Sequence, residues 1–181
     1  MRIISGQFGG RVINGPSSFL TRPVSDKVKG AIFNILGDLS DMSVLDIFAG
    51  TGSVGLEAVS RGAKLAVFVE SLPVTLNCLR KNIDALGVGA QTKIFRGRAP
   101  KVLQDIARLH PPFPIVFIDP PYDKGLVDRT LTALKDYKLV DALSTLIIEH
   151  SPREKPQARG FKVTDERHYG QTFISFLKLD T

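Results

Sequence analysis

Residues 44–55, VLDIFAGTGSVG, decide the fold. An apolar run, Val44-Leu45-Asp46-Ile47-Phe48, breaks at Gly50-Thr51-Gly52 and resumes as a helical stretch from Ser53 to about Arg61. Strand, glycine turn, helix is the order in which an α/β protein receives a nucleotide-like ligand. Glycine at 50 and 52 lets the backbone bend sharply and approach that ligand with no Cβ in the way. The free N–H groups that open the next helix then face it. Two other readings stay open on this stretch alone. Gly50-x-Gly52-x-x-Gly55 also fits a dinucleotide fingerprint, and a plain turn between strand and helix has the same composition.

The pattern repeats downstream. Leu65–Glu70 reads as a second strand ending in an acid, and Ser71 caps a helix with Pro73 in its first turn, where no N–H is needed. Thr92–Arg96 is a third strand, and Pro100 opens a helix with Val102, Leu103, Ile106 and Leu109 inward. Ile115–Asp119 is a continuous apolar strand of the kind covered on both faces. A helix through Leu126, Val127, Thr130, Leu131 and Leu134 follows, then a fifth strand at Thr145–Glu149. Phe161–His168 and Thr172–Leu179 close the chain as an antiparallel hairpin. This alternation predicts a Rossmann-like α/β fold, a mostly parallel sheet with helices on both faces and a terminal β-hairpin. Ligands of such sheets bind at the carboxyl ends of the strands. The Gly50 loop, Glu70, the Gly97–Ala99 turn and Asp119–Tyr122 all fall at such ends.

Upstream, residues 2–14 carry a Gly9-Gly10 pair between apolar stretches, a hairpin signal. A helix capped by Ser25 or Asp26 follows, with Val28, Ile32, Phe33, Ile35 and Leu36 on its apolar face and Gly37 at its end. The expected organisation is a basic extension over residues 1–40 and a catalytic domain over residues 41–181.

The chain has 181 residues and a net charge of +6, which favours polyanionic partners, nucleic acid first. The charge is clustered. Arg2, Arg11, Arg22, Lys27 and Lys29 face a single acid, Asp26, before Gly37; Lys93, Arg96, Arg98, Lys101 and Arg108 face only Asp105 before Leu109. The first cluster is the expected set of contacts to nucleic-acid phosphates. With one cysteine, Cys78, no internal disulfide is possible, and His110, His150 and His168 lack metal-ligand spacing, so no metal is expected. The longest apolar runs are too short to span a membrane, and the first residues, MRIISGQFGG, lack the apolar core of a signal peptide. A cytoplasmic protein is the expectation.

A second stretch says what the glycine loop is for. Asp119-Pro120-Pro121-Tyr122 directly follows the fourth strand. Consecutive prolines remove two N–H donors and fix two φ angles. They also keep Asp119 extended, because a residue before proline avoids the helical region. The product is a rigid ledge presenting a carboxylate, the Pro120 carbonyl and the Tyr122 ring. An amine on an aromatic base is a poor nucleophile, because its lone pair is spread into the ring. Two acceptors, Asp119 and the Pro120 carbonyl, can hold its two N–H groups and favour a more tetrahedral nitrogen, while Tyr122 stacks on the base. Catalysis is then mostly positioning for in-line transfer.

VLDIFAGTGSVGLEAVSRGA, FVE and IDPPY together resemble the class I S-adenosylmethionine-dependent methyltransferases of the amino-methylating type. With the lead-in TRPVSDKVKGAIFNIL and the later HYGQTFISFL, the chain from Arg2 to Leu179 resembles the RsmD family, which methylates the N2 amine of one guanine in bacterial 16S ribosomal RNA. The resemblance implies S-adenosylmethionine as cofactor. Asp46, Phe48, Ala49, Gly50, Thr51 and Gly52 would contact its methionine end, and Glu70, with Ser71, its ribose. Arg98-Ala99 lies where the family reads the adenine ring. This sequence departs there, since many relatives have Asp or Asn where Arg98 stands. Arginine only donates and cannot accept from the adenine amine, so two expectations stay open here: adenine recognition by backbone groups, and an Arg98 that touches RNA instead. Asp119 would serve both the cofactor and the amine, and Thr21-Arg22-Pro23 would cover the cofactor. The implied partner is 16S ribosomal RNA in an assembled or assembling small subunit, met by a monomer. The alternative is an amino-methyltransferase acting on adenine N6 in DNA or RNA, which shares the Asp-Pro-Pro-Tyr ledge.

Overall fold

The computed structural model describes residues 1–16, 25–157, 159–170 and 172–180. They form two compact units, residues 1–96 and 97–181. Thr21, Arg22 and Pro23 lie outside the described residues.

The first unit contains α1 (Asp26–Leu36), β1 (Ser43–Ile47), α2 (Ser53–Ser60), β2 (Leu65–Glu70), α3 (Pro73–Leu86), a short 3-10 turn (Gly89–Gln91) and β3 (Thr92–Arg96). Its strands run parallel in the order β3-β2-β1, with Asp46 beside Phe68 and Glu70 beside Arg96. Leu56 and Val59 of α2, Phe68 of β2, and Leu79 and Ile83 of α3 form one core cluster with Ile3 and Ile13. The N-terminal residues are therefore part of this unit's core. The two arms read around Gly9-Gly10 do pair antiparallel, though too briefly to count as strands: Ile3 N donates to Arg11 O (2.9 Å), Gly10 N to Ile3 O (2.8 Å) and Ile13 N to Met1 O (3.0 Å), with a bridge between Arg2 and Val12. The turn of this hairpin also binds α2: Gln7 N donates to Ser60 O (2.7 Å) and Phe8 N to Ser60 Oγ (2.9 Å). Gly6, with φ 80°, lies so close to the Ser60 carbonyl that any side chain there would collide with it.

Ser25 caps α1 by accepting the Val28 N–H at 3.3 Å, and Gly37 ends the helix with φ 72°. The expected Ser71 cap of α3 is not made. Leu72 occupies the cap position, and the carboxylate of Glu70 takes over, accepting from Ser71 N and from Leu72 N (2.7 Å). A negative group at a helix start is favoured by the unpaired N–H groups there.

The second unit contains α4 (Leu103–Ala107), β4 (Ile115–Ile118), α5 (Leu126–Asp136), β5 (Thr145–His150), β6 (Phe161–Tyr169) and β7 (Thr172–Leu179). Its strands lie in the order β4-β5-β7-β6, parallel between β4 and β5 and antiparallel beyond. Pro100 does not open a helix; a turn intervenes, α4 starts at Leu103, and Leu109, expected inward, is 68% exposed. Among the described residues, no helix is long and apolar enough to cross a membrane.

Candidate functional site

In the first unit the chain leaves β1 through Phe48 (φ 66°), Gly50 (φ 57°) and Gly52 (φ 81°), three left-handed residues in a row of five. Ala49 N prolongs the pairing by donating to Val69 O (3.0 Å), and Gly52 N closes the turn on Ala49 O (2.8 Å). At Gly52 a side chain would press on Leu79 Cδ1 of α3 and would be strained at φ 81°, so the position favours glycine.

Two carboxylates hold the loop. Glu70 Oε2 accepts the Gly50 N–H at 2.8 Å while Oε1 serves the start of α3, so one buried side chain joins the ends of β1 and β2. A carboxylate offers about four lone-pair sites, so Glu70 keeps capacity for a ligand hydroxyl. Asp46 Oδ2 accepts the Gly55 N–H at 2.9 Å, one of the donors at the start of α2 that has no helical partner. Asp46 is 3% exposed. Burial raises its pKa to about 7, against the Gly55 hydrogen bond and with help from the Glu70 charge. Thr51 is buried, and its carbonyl accepts from Asn82 Nδ2 at 3.0 Å. Ser71 is half-buried beside Glu70.

Arg2 and Arg11 are exposed, and so is Lys27. The Arg2 side chain pairs with Asp26 at 3.3 Å, and Arg11 lies 5.8 Å over the Phe8 ring. Arg22 lies outside the described residues. Lys29, expected among the RNA contacts, is instead buried: its side chain is 0% exposed and cannot meet an RNA phosphate. Its Nζ donates to Arg2 O (2.7 Å) and Ser53 Oγ (2.9 Å) and stands 3.8 Å from Glu57 Oε2. Burial lowers its pKa, and Glu57 opposes the shift. Glu57, equally buried, also accepts from Ile4 N (2.6 Å), Ser5 N (3.1 Å) and Arg61 Nε (2.7 Å).

In the second unit Asp119 follows the fully buried β4 and is half-buried itself, with Pro120 buried behind it and Pro121 exposed. Tyr122 is 37% exposed, and its hydroxyl donates to Glu149 Oε1 at 2.9 Å. Burial pushes the Tyr122 phenol well above its ordinary value; a Thr172 hydrogen bond opposes this and the Glu149 and Asp119 charges reinforce it. The ledge is anchored beyond Tyr122 as well. Ser151 Oγ donates to Asp123 Oδ1 (2.9 Å), and Asp123 N donates to Glu154 Oε2. Arg98 is exposed and Ala99 buried, with Arg98 O accepting from Val102 N at 3.2 Å.

Glu149 is the residue that the sequence reading passed over, although the signal was present. It closes the apolar run Leu146–Ile148 as Glu70 closes Leu65–Val69.

A family model described as "Conserved hypothetical protein 95" matches residues 1–178. A relative from Bacillus subtilis named putative rRNA methyltransferase YlbH is 33% identical over 181 residues, 98% of each chain. The ribosomal RNA small subunit methyltransferase D of Escherichia coli is 38% identical over 137 residues, 75% of this chain and 67% of that one. This chain belongs to the RsmD family. A solved structure titled as the putative methyltransferase yhhF from Escherichia coli superposes with a TM-score of 0.85 at 29% identity, covering 100% of this chain and 98% of the other. A Thermus hypothetical protein, TTHA0928, gives 0.84 at 26% identity over 99% of each. A Geobacter metallireducens precorrin methyltransferase, at 17% identity and a TM-score of 0.71, shares the fold alone. The RsmD-family chain thus has the α/β fold of class I methyltransferases, as its strand–helix alternation predicts.

Proposed function

We propose that this chain transfers a methyl group from S-adenosylmethionine to the exocyclic N2 amine of a guanine in the 16S RNA of the small ribosomal subunit. The observation that carries the reading is Asp119-Pro120-Pro121-Tyr122 at the end of a buried strand, in an RsmD-family chain whose first unit has a glycine loop held by two buried acids. The residues of that loop suit this cofactor. Glu70 is an acceptor for ribose hydroxyls, and Asp46 and the Phe48–Gly52 turn take the methionine end. A cation beside Asp46 restores the ionised form that burial disfavours. Ser71, Arg98 and Ala99 border the nucleoside side in this reading. When bound, the cofactor supplies an electrophilic methyl group on a positively charged sulfur.

The rest of the chemistry falls to the ledge. Asp119 and the Pro120 carbonyl accept the two amine hydrogens, which localises the nitrogen lone pair and turns it toward the methyl group. The two prolines stop the acceptors from following the amine as it moves, so orientation is fixed before reaction. Positive charge develops on the nitrogen, and the Asp119 carboxylate stabilises it. Tyr122 stays protonated, because its pKa is raised, so it stacks on the base and takes no proton. Asp119 or water receives the proton.

A paired guanine hides its amine in the minor groove, so the target is unpaired or flipped out. Arg2, Arg11 and Lys27 contact RNA phosphates, which position the substrate without choosing the base. The exposed cations of residues 1–40 serve the RNA and residues 41–181 carry the chemistry, in a cytoplasmic monomer. Thermal melting tests the cofactor assignment: S-adenosylhomocysteine raises the melting temperature and NAD leaves it unchanged. Stabilisation by NAD alone would contradict the reading.

A further inference from the structure

Two buried side chains outside the groups above reach the glycine loop from elements distant in sequence. Asn82 of α3 is 2% exposed, and its amide is fully used. Nδ2 donates to Thr51 O and to Asn14 O, both at 3.0 Å, while Oδ1 accepts from Asn14 N at 2.8 Å. Lys29 of α1 has the same design. Its Nζ donates to Ser53 Oγ at 2.9 Å and to Arg2 O at 2.7 Å. Each side chain joins one residue of the loop to one residue of the N-terminal segment. The two loop residues, Thr51 and Ser53, flank Gly52, the left-handed residue on which the turn pivots.

That segment is itself fixed. Ile3 and Ile13 lie in the core of the unit, and Glu57 and Ser60 of α2 accept the N–H groups of Ile4, Ser5 and Phe8. It can therefore act as a reference frame. A glycine turn has little resistance of its own, because glycine tolerates many φ/ψ pairs. Pinning the residue on either side removes that freedom before a ligand arrives, and a preorganised site loses less affinity to ordering.

We infer that Asn82 and Lys29 are positioning residues for cofactor binding, which lock the Gly50–Ser53 loop to the N-terminal segment through the Thr51 carbonyl and the Ser53 hydroxyl. The inference rests on the reading of this loop as the S-adenosylmethionine site. Each side chain also has partners apart from the loop: Lys29 has Arg2 O and Glu57, and Asn82 has both groups of Asn14. The stability and binding contributions are therefore separated by measuring both.

Ser53→Ala removes only the loop end of the Lys29 clamp, and Asn82→Ala removes the other clamp. The full chain is titrated with S-adenosylmethionine by calorimetry at a temperature where circular dichroism shows each variant folded. Steady-state kinetics on small subunits are measured in parallel. The dissociation constant and the KM for S-adenosylmethionine rise about three- to tenfold in each variant, the net worth of one or two hydrogen bonds. The kcat at saturating cofactor stays within about twofold of the parent, because the ledge is untouched. A purely structural role would lower the melting temperature and leave the dissociation constant in place. If Asn82→Ala does not fold, Ser53→Ala decides. Glu70→Ala is the reference. Weakened binding in Glu70→Ala with unchanged binding in the clamp variants overturns the inference and keeps the loop as the cofactor site. Unchanged binding in all three overturns both.

Discussion

In the glycine loop, carboxylates are tied to main-chain N–H groups; on the Asp-Pro-Pro-Tyr ledge, side chains are tied mostly to other side chains. Asp46 takes the Gly55 N–H, and Glu70 takes those of Gly50, Ser71 and Leu72. Tyr122 instead reaches Glu149, 27 residues away, and Asp123 is held by Ser151, 28 residues away. Main-chain donors are placed by the backbone itself, so the glycines set the path of the loop, while Glu70, Asn82 and Lys29 reach it from other elements. The ledge takes its stiffness from two prolines and its aim from partners on later elements. The proposed cofactor end is thus held largely through main-chain groups, and the proposed base end through side-chain pairs. Substitutions in the two regions should separate cleanly in cofactor affinity and turnover.

The sharpest separation is Asp119→Ala. It should lower kcat by about 10^2–10^3-fold or more, the scale of losing a preorganised electrostatic contact to the transition state. The calorimetric S-adenosylmethionine dissociation constant should change little, and near-normal turnover would break the contrast between the regions. Glu70→Ala comes next. Losing a charged acceptor of ribose hydroxyls costs about 1.5–3 kcal/mol, which is roughly 10- to 150-fold in the same dissociation constant.

A pH titration sharpens the contrast within the loop. Asp46 titrates near 7 in the free protein, and a cationic ligand favours its ionised form. Affinity for S-adenosylmethionine should therefore fall by about eightfold from pH 7.5 to pH 6, and Asp46→Asn should flatten that profile. The stability sign runs the other way. A carboxyl whose folded pKa lies above its unfolded one destabilises the fold above the folded value, and less so as pH falls toward 3.8. Asp46→Asn, which keeps an acceptor for Gly55 N–H, should raise the melting temperature at pH 8 by a few degrees, about 2–4 °C per kcal/mol. The smallest effect is expected for Tyr122→Phe. The ring stays and only the bond to Glu149 goes, so the KM for the RNA substrate should rise about threefold with cofactor binding unchanged, as one neutral-to-charged hydrogen bond acting indirectly would give.

The same contrast explains what could be read from the sequence. Val44–Phe48, Leu65–Glu70 and Ile115–Asp119 were legible as strands because each is an apolar run bounded by turn residues, and the structure places β1, β2 and β4 there within one residue. Gly50 and Gly52 were legible because left-handed backbone selects glycine. Lys29 was misread as a surface cation. Its charge is visible in the sequence, but Glu57 and Ser53, the partners that bury it, are 28 and 24 residues away. Asn82 escaped for the same reason, since its bond to Thr51 spans 31 residues. Glu149 was visible as an acid closing a strand, but its pairing with Tyr122, 27 residues away, is encoded by no local pattern. Ser71 was taken as a helix cap on residue type, whereas Glu70 reached the same N–H groups with a charge. Leu109 was counted inward by helical period, but α4 ends at Ala107 and the period lapses before it.

The most direct test is transfer of a labelled methyl group from S-adenosylmethionine, offered in parallel to unmodified small ribosomal subunits, naked 16S RNA and duplex DNA, followed by digestion and identification of the nucleoside. The account predicts N2-methylguanosine from the ribosomal substrate, lost in Asp119→Ala. Label appearing in DNA as N6-methyladenine, or no label on any substrate from a protein that binds the cofactor, would contradict it.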